Sequence, residues 1–366
     1  MTGNGQGPRD GPVPGRGPLP NQGAPAARTK LDNSLYDARR LFADGLGHEE
    51  AGRYARAGEL LRRAADLAAV AHAPELEAEA ASRLAVIYHH EGRPQDASTA
   101  AHRSIALARL VRSPVLEAQC LNVMAGIELE RGSLDSARRL FADARQLADD
   151  REELVAKIEE NLGIVANVEG DLSLAESHYL RALEVYRRSG DRHGIAMTLH
   201  NLGMIAADHR DFGRAEDLFT QVLGLARATG VRRLEGLCHL NRAEVLAETQ
   251  RYSEALEDAR VSLAIFVELG SVIEQADCYR VIGATLRALG NHSLAESHLT
   301  VALREARRSQ STIAEAEASR ELARLRLEQG ETDEALQYFR EAAELFGRIG
   351  ARTDLQDVET RIASLG

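Results

Sequence analysis

Alanine recurs at Ala57, Ala97, Ala137, Ala175, Ala215, Ala255, Ala295 and Ala335, forty residues apart except for one step of thirty-eight. Five residues before each stands Gly52, Gly92, Gly132, Gly170, Arg210, Gln250, Gly290 or Gly330. Twelve before lies a second small column: Gly45, Ala85, Ala125, Gly163, Gly203, Ala243, Gly283 and Ala323. Its predecessor is usually large and apolar, as at Leu84, Met124, Leu162, Leu202, Ile282 and Leu322. Such self-similarity makes the chain an array of like units, each burying its apolar face against its neighbours, so the length of 366 residues does not imply several separate cores.

Within each unit, apolar residues at three and four spacing form two segments separated by a glycine-centred turn, the pattern of helix, turn and second helix. Small residues in both helices let the backbones cross closely. Gly190, Gly230, Gly270 and Gly350 stand where the second helix ends, a place that favours a left-handed residue. Residues 1–30 hold six of the nine prolines and seven glycines, with little to bury, and are expected to be a disordered tail. That tail is basic, with Arg9, Arg16, Arg28 and Lys30 against Asp10, in a chain of net charge −11.

Asn161-Leu162-Gly163, followed by Gly170-Asp171, Ala175, Tyr179 and Ala182, resembles the tetratricopeptide repeat (TPR). Asn201-Leu202-Gly203 with Phe212, Ala215 and Phe219 repeats the resemblance, as do Gly330, Ala335, Phe339 and Ala342. The forty-residue period is similar to the long-repeat variant of Pins-type adaptors and many bacterial TPR proteins. The resemblance implies an all-α fold, a right-handed alpha solenoid (superhelix) of helix-turn-helix repeats. Eight repeats are expected over residues 31–355, and a C-terminal capping helix over 356–366. Two places depart from the pattern. Residues 38–44 duplicate 137–143, which belong to a second helix, so the register of the first repeat stays open. Arg242 replaces the usual leucine, which implies an unusual pairing or a local loosening.

The resemblance also implies that the first helices line a concave groove. Relative to the small residue, positions six, three and two before, and one, four and five after, share one helical face. The column two before reads Ala43, Arg83, Val123, Asn161, Asn201, Asn241, Val281 and Glu321. Three consecutive amides could hold an extended peptide backbone, as Asn ladders do in several TPR superhelices. The alternative is an inherited consensus, with the amides wetted or bonding neighbouring helices. Around them stand Lys157, Glu160, His200, Asp208 and Glu244, and further on Arg280 and Arg320. The peptide-binding set expected from this face is Asn161, Asn201, Asn241, Lys157, His200, Asp208, Arg280 and Arg320. Arg280 and Arg320 could grip carboxylates of a partner, or they could pair with Glu317, Glu321 and Glu328.

Other chemistries find little footing. His89-His90 point about 100° apart on a helix and have no companion ligands, so no metal site is expected. Cys120, Cys238 and Cys278 share one column and read as small packing residues. Gly3, Gly5 and Gly7 are followed by Pro8, not by the helix that a phosphate loop needs. No catalytic motif is found in the repeats, so neither an enzyme nor a cofactor is expected. Net negative charge argues against nucleic-acid binding. The lack of a leader and of any run of about eighteen apolar residues suggests a cytoplasmic protein off the membrane. Arginine outnumbers lysine 43 to two, as in a high-GC bacterial coding sequence.

The function expected is a non-enzymatic adaptor or scaffold, a monomer, binding a protein or peptide segment in the concave groove. Alternatives are a regulatory peptide receptor of the type of the Rap phosphatases, the sensory part of a TPR-containing transcription regulator, and a structural self-assembly unit.

Overall fold

A computed structural model describes residues 24–50, 53–148 and 151–365. Among them are seventeen α-helices and no strand. One compact unit ends at Ser133. It holds α1 (Ala24–Glu50), α2 (Tyr54–Val70), α3 (Pro74–His90), α4 (Pro94–Leu110) and α5 (Pro114–Glu130). The other begins at Leu134. It holds α6 (Leu134–Leu147), α7 (Glu152–Val168), α8 (Leu172–Ser189), α9 (Arg192–Asp208), α10 (Phe212–Thr229) and α11 (Arg232–Glu248). It continues with α12 (Tyr252–Leu269), α13 (Val272–Ala288), α14 (His292–Arg308), α15 (Thr312–Glu328), α16 (Thr332–Ile349) and α17 (Arg352–Leu365). Within each unit every helix packs on the next in sequence, and first helices also meet next but one, as α9 with α11, α11 with α13 and α13 with α15. This is the succession of an α-solenoid.

The small columns have a steric cause. A Cβ added to Gly163 would lie 2.5 Å from Tyr179 Cε1, one on Gly203 2.6 Å from Phe219 Cε1, and one on Gly283 2.7 Å from Leu299 Cγ. Each glycine of the first helix therefore receives the large side chain four residues past the alanine of the second helix. Tyr179, Phe219 and Leu299 are almost wholly buried there. Gly45 stands in the same relation to Leu61, whose Cγ would be 2.8 Å away. The first repeat is thus in register despite its duplicated sequence.

The turns follow their chemistry. Gly170 and Gly290 are left-handed, with φ of 84° and 75°. Arg210 and Gln250 hold the same conformation at φ of 60° and 61°, so the turn imposes its geometry where the column departs from glycine. Pro74, Pro94 and Pro114 occupy the first turn of their helices, where a missing N–H goes unnoticed. Asp171, Asp211 and Asn291 accept hydrogen bonds from Leu174 N, Arg214 N and Leu294 N. Cys120, Cys238 and Cys278 are free and buried, and burial pushes the thiols of Cys238 and Cys278 up to about 12.

Two boundaries differ from those read in the sequence. Helix α1 already begins at Ala24, inside the segment 1–30 assigned to a tail; residues 1–23 lie outside the described residues. Proline in the first turn followed by Ala26, Ala27, Arg28 and Lys30 is a helix-compatible stretch that the glycine and proline count for the whole window conceals. Likewise α17 begins at Arg352, ahead of residue 356. No helix among the described residues is long and apolar enough to cross a membrane.

Candidate functional site

In the unit beginning at Leu134, the first helices α9, α11, α13 and α15 meet in succession. The positions that sequence assigns to a shared face make contacts between them, and α7 precedes them in the repeat order. Asn241 Nδ2 on α11 donates to His200 Nε2 on α9 at 2.9 Å and also touches Met204 Sδ at 2.9 Å. Arg280 on α13 donates from Nη2 to Glu244 Oε1 on α11 at 2.8 Å, and its Nε lies 3.1 Å from Glu317 Oε2 on α15. Arg287 reaches Glu321 and Glu328 on α15. Arg320 on α15 donates to Asp354 Oδ1 on α17 at 2.5 Å, its guanidinium 5.2 Å from the centroid of the Phe346 ring.

Arg280 and Arg320 are therefore occupied by carboxylates of other helices, and Asn241 bonds a neighbouring repeat. Asn161 and Asn201 are half-buried on α7 and α9, and Asn201 hydrogen-bonds His200. Because Asn241 donates to Nε2, His200 carries its proton on Nδ1 and is neutral. Burial lowers its pKa, in agreement with that state. Lys157 is exposed on α7, and Asp208 is exposed at the end of α9.

The carboxyls left on this face are costly to ionise. Burial pushes Glu160 up to about 7, aided by Asp191 and opposed by a hydrogen bond from Tyr186 Oη at 3.1 Å and by Lys157. Asp277, one turn before Arg280, is pushed up to about 6 by burial, with Glu317, Glu244 and Glu274 adding to the shift against the pull of Arg280. Asp208 is raised by the protein around its carboxyl and by Glu244, against His209. A carboxyl whose folded pKa exceeds its unfolded value favours folding only while protonated, so its support is full below about pH 4 and lost as pH rises through the folded value. Glu160→Gln, which keeps an acceptor for Tyr186, is expected to stabilise the chain by roughly 2 kcal/mol near pH 8 and to change little near pH 4. Thermal melts at both pH values check this; equal shifts at the two would contradict it.

A second polar group was not recognised from sequence. On the seam inside each repeat, the residue four before the small reference faces the one three past the alanine. In the repeat of α9 and α10 these are Leu199 and Leu218. In that of α7 and α8 they are Glu159 and His178, with Nδ1 2.8 Å from Oε2. In that of α11 and α12 they are His239 and Asp258, with Nδ1 3.0 Å from Oδ1. Burial disfavours the charge on Glu159, but His178, Arg181 and Arg145 hold its pKa down at about 2. Arg227 Nη2 donates to His239 Nε2 at 3.1 Å, so His239 Nδ1–H donates to Asp258. Arg242, the departure noted in sequence, binds Asp258 with two nitrogens, at 2.5 and 2.8 Å. The signal was present as charge in columns that carry leucine in other repeats, at Leu41, Leu121 and Leu199 and at Leu60, Leu140 and Leu218.

Of these residues, Arg227, His239, Arg242 and Asp258 line a cleft of about 340 Å³ between α10, α11 and α12. Its three arginines are spent on carboxylates: Arg227 on Glu235, Arg242 on Asp258, and Arg251 on Glu216 and Glu254. A ligand there would have to break these pairs, whereas on the first-helix face Lys157, Asp208 and Asp277 make no hydrogen bond or salt bridge among the described residues. That face is the better candidate.

The comparisons agree on the architecture. Residues 154–228, and residues 200–266 and 281–348, match two family profiles described as tetratricopeptide repeat. The chain is 28% identical over 155 residues to the regulatory protein AfsR of Streptomyces coelicolor, covering 42% of this chain and 15% of AfsR. It is 26% identical over 227 residues to AfsR of Streptomyces griseus, covering 61% of this chain and 22% of that protein. The chain thus spans less than a quarter of the relatives' length. A signal transduction ATPase with a tetratricopeptide-repeat sensor from Pyrococcus horikoshii superposes with a TM-score of 0.65 at 14% identity, covering 92% of this chain and 52% of that one. A Rap protein complexed with competence and sporulation factor superposes with a TM-score of 0.60 at 12% identity, covering 93% of this chain and 97% of that one. Helix pairs stacked in succession, the small-residue register and the matched profiles together place this chain in the tetratricopeptide-repeat family.

Proposed function

We propose that the chain is a non-enzymatic adaptor that captures a segment of another protein along the first-helix face of α7 to α15, which forms the concave side of its groove. The observation that carries this reading is the division of charge. Most charged side chains around the row are held by neighbouring helices, whereas Lys157, Asp208 and Asp277 are left to meet a ligand. Asn161 and Asn201 stand among them, and an amide with one bond made still has capacity for a peptide N–H or C=O. The mechanism is preformation: the repeats fix the face beforehand, and only the partner segment must order.

A second reading, a regulatory receptor whose peptide ligand reshapes the repeats, is favoured by the likeness to AfsR, a regulatory protein, and to the Rap complex. Both readings use the same face. A photoreactive amino acid at Lys157 or Asp208, with one at exposed Glu257 on α12 as comparison, tests it in native lysate. Crosslinks to a common partner from the first two sites and none from the third are expected. Crosslinks from Glu257 alone would overturn the proposal. Small-angle scattering with that partner separates the readings, since only the receptor should change its radius on binding.

A further inference from the structure

The charge of the face indicates what it receives, and the inference rests on the first-helix reading above. Along α7 to α13 the shared positions carry Glu160, Asp208, Glu244, Glu248 and Asp277 against Lys157, Arg280 and Arg287. Arg280 is already shared between Glu244 and Glu317. Further along, Arg287 and Arg320 are paired with Glu328 and Asp354. Apart from Lys157, the cations that could receive an acidic segment are thus committed, and the charge left over, Glu160, Asp208 and Asp277 against Lys157, is negative.

We infer that the segment captured here is basic: an extended stretch of a partner protein whose Lys or Arg side chains meet Glu160, Asp208 and Asp277 while its backbone lies against the amides of Asn161 and Asn201. Two separate features of the row converge on this occupant. Charge complementarity selects the side chains, because partly dehydrated carboxylates with other carboxylates beside them gain most from a delivered cation. The amides select the backbone, because they offer both donors and acceptors on adjacent first helices. The raised pKa values of Glu160 and Asp277 are in keeping with this, since burial raises both and Lys157 and Arg280 only partly offset it, so that a further cation would lower them. An acidic segment would meet charge of its own sign and would have to displace Glu244, Glu317 or Asp354 from their arginines.

The test is selection from a random-sequence peptide display library on the full chain, followed by affinity measurement of labelled selected peptides. Two variants remove equal charge: Asp208→Asn with Asp277→Asn on the first helices, and Asp217→Asn with Glu257→Gln on α10 and α12. Amide replacements keep side-chain size, and circular dichroism verifies that both variants fold. Enrichment of Lys and Arg is expected, with affinity falling about tenfold or more in the first variant and less than about twofold in the second. Peptides rich in Asp and Glu, or uncharged, that are lost on the first variant would overturn the basic inference and leave the face standing. Basic peptides lost only on the second variant would overturn the face itself, and selection of no peptide would overturn both.

Discussion

Asp258→Ala is expected to destabilise the chain by about 3 kcal/mol, measured by urea unfolding near neutral pH. The carboxylate is 8% exposed and accepts from both Arg242 and His239. Its removal leaves a guanidinium 23% exposed, and the Nδ1–H of a buried imidazole, without the oxygens that they now bond. Breaking one side of a buried pair costs far more than the pair contributes, because the surviving charge stays desolvated. Arg242 can regain part of its hydration, which places the loss at the lower end of such cases. The neighbouring repeat shows how to remove the penalty: its equivalents of His239, Arg242 and Asp258 are Leu199, Leu202 and Leu218. The triple change of all three to leucine is expected to be neutral or stabilising.

The same contrast has a pH signature. Burial disfavours the ionised form of Asp258, yet Arg242 and His239 hold its pKa below the ordinary aspartate value. A carboxylate depressed in the folded state supports folding above its unfolded pKa of about 4 and loses that support as pH falls through the folded value. The wild type should therefore lose part of its stability below about pH 4 that the triple-leucine chain never had. Parallel acid unfolding curves for the two would contradict this account of Asp258.

Gly203→Val is expected to cost about 3 kcal/mol through a different cause. The first added atom would lie 2.6 Å from Cε1 and 3.0 Å from Cδ1 of Phe219, a ring buried without measurable exposure. Either α9 and α10 must separate or the ring must leave its rotamer, and valine adds two more carbons in the same place. The gain in helix propensity over glycine, up to about 1 kcal/mol, offsets only part of this. Phe219→Ala should rescue Gly203→Val specifically, so the two changes together should cost less than the sum of each alone. Additive losses would show that the glycine column reflects something other than the opposing ring.

This steric origin explains why the architecture was legible. A large residue excluded by an opposing side chain leaves a column, and Gly163 and Gly203 against rings and Gly283 against Leu299 form one. The turn was legible for a like reason, and Arg210 and Gln250 keep its left-handed backbone without its glycine. Charge pairing left a weaker trace. Sequence placed Arg280 and Arg320 on a shared face and offered Glu317, Glu321 and Glu328 as partners; Arg280 does meet Glu317, but its second partner Glu244 and the partner Asp354 of Arg320 went unread. Those choices depend on how far one first helix is rotated against the next, which spacing within a repeat does not encode. Asp277 drew no notice for the same reason, since only the packing of α11, α13 and α15 around it makes its carboxyl costly to ionise. The start of α1 at Ala24 was hidden by averaging composition across residues 1–30.

The most direct test of the first-helix face is hydrogen exchange of the full chain with and without a segment captured by crosslinking at Lys157. Slower exchange should be confined to α7, α9, α11 and α13, with α8, α10, α12 and α14 unchanged. Protection falling on the second helices, or on α17 alone, would contradict it.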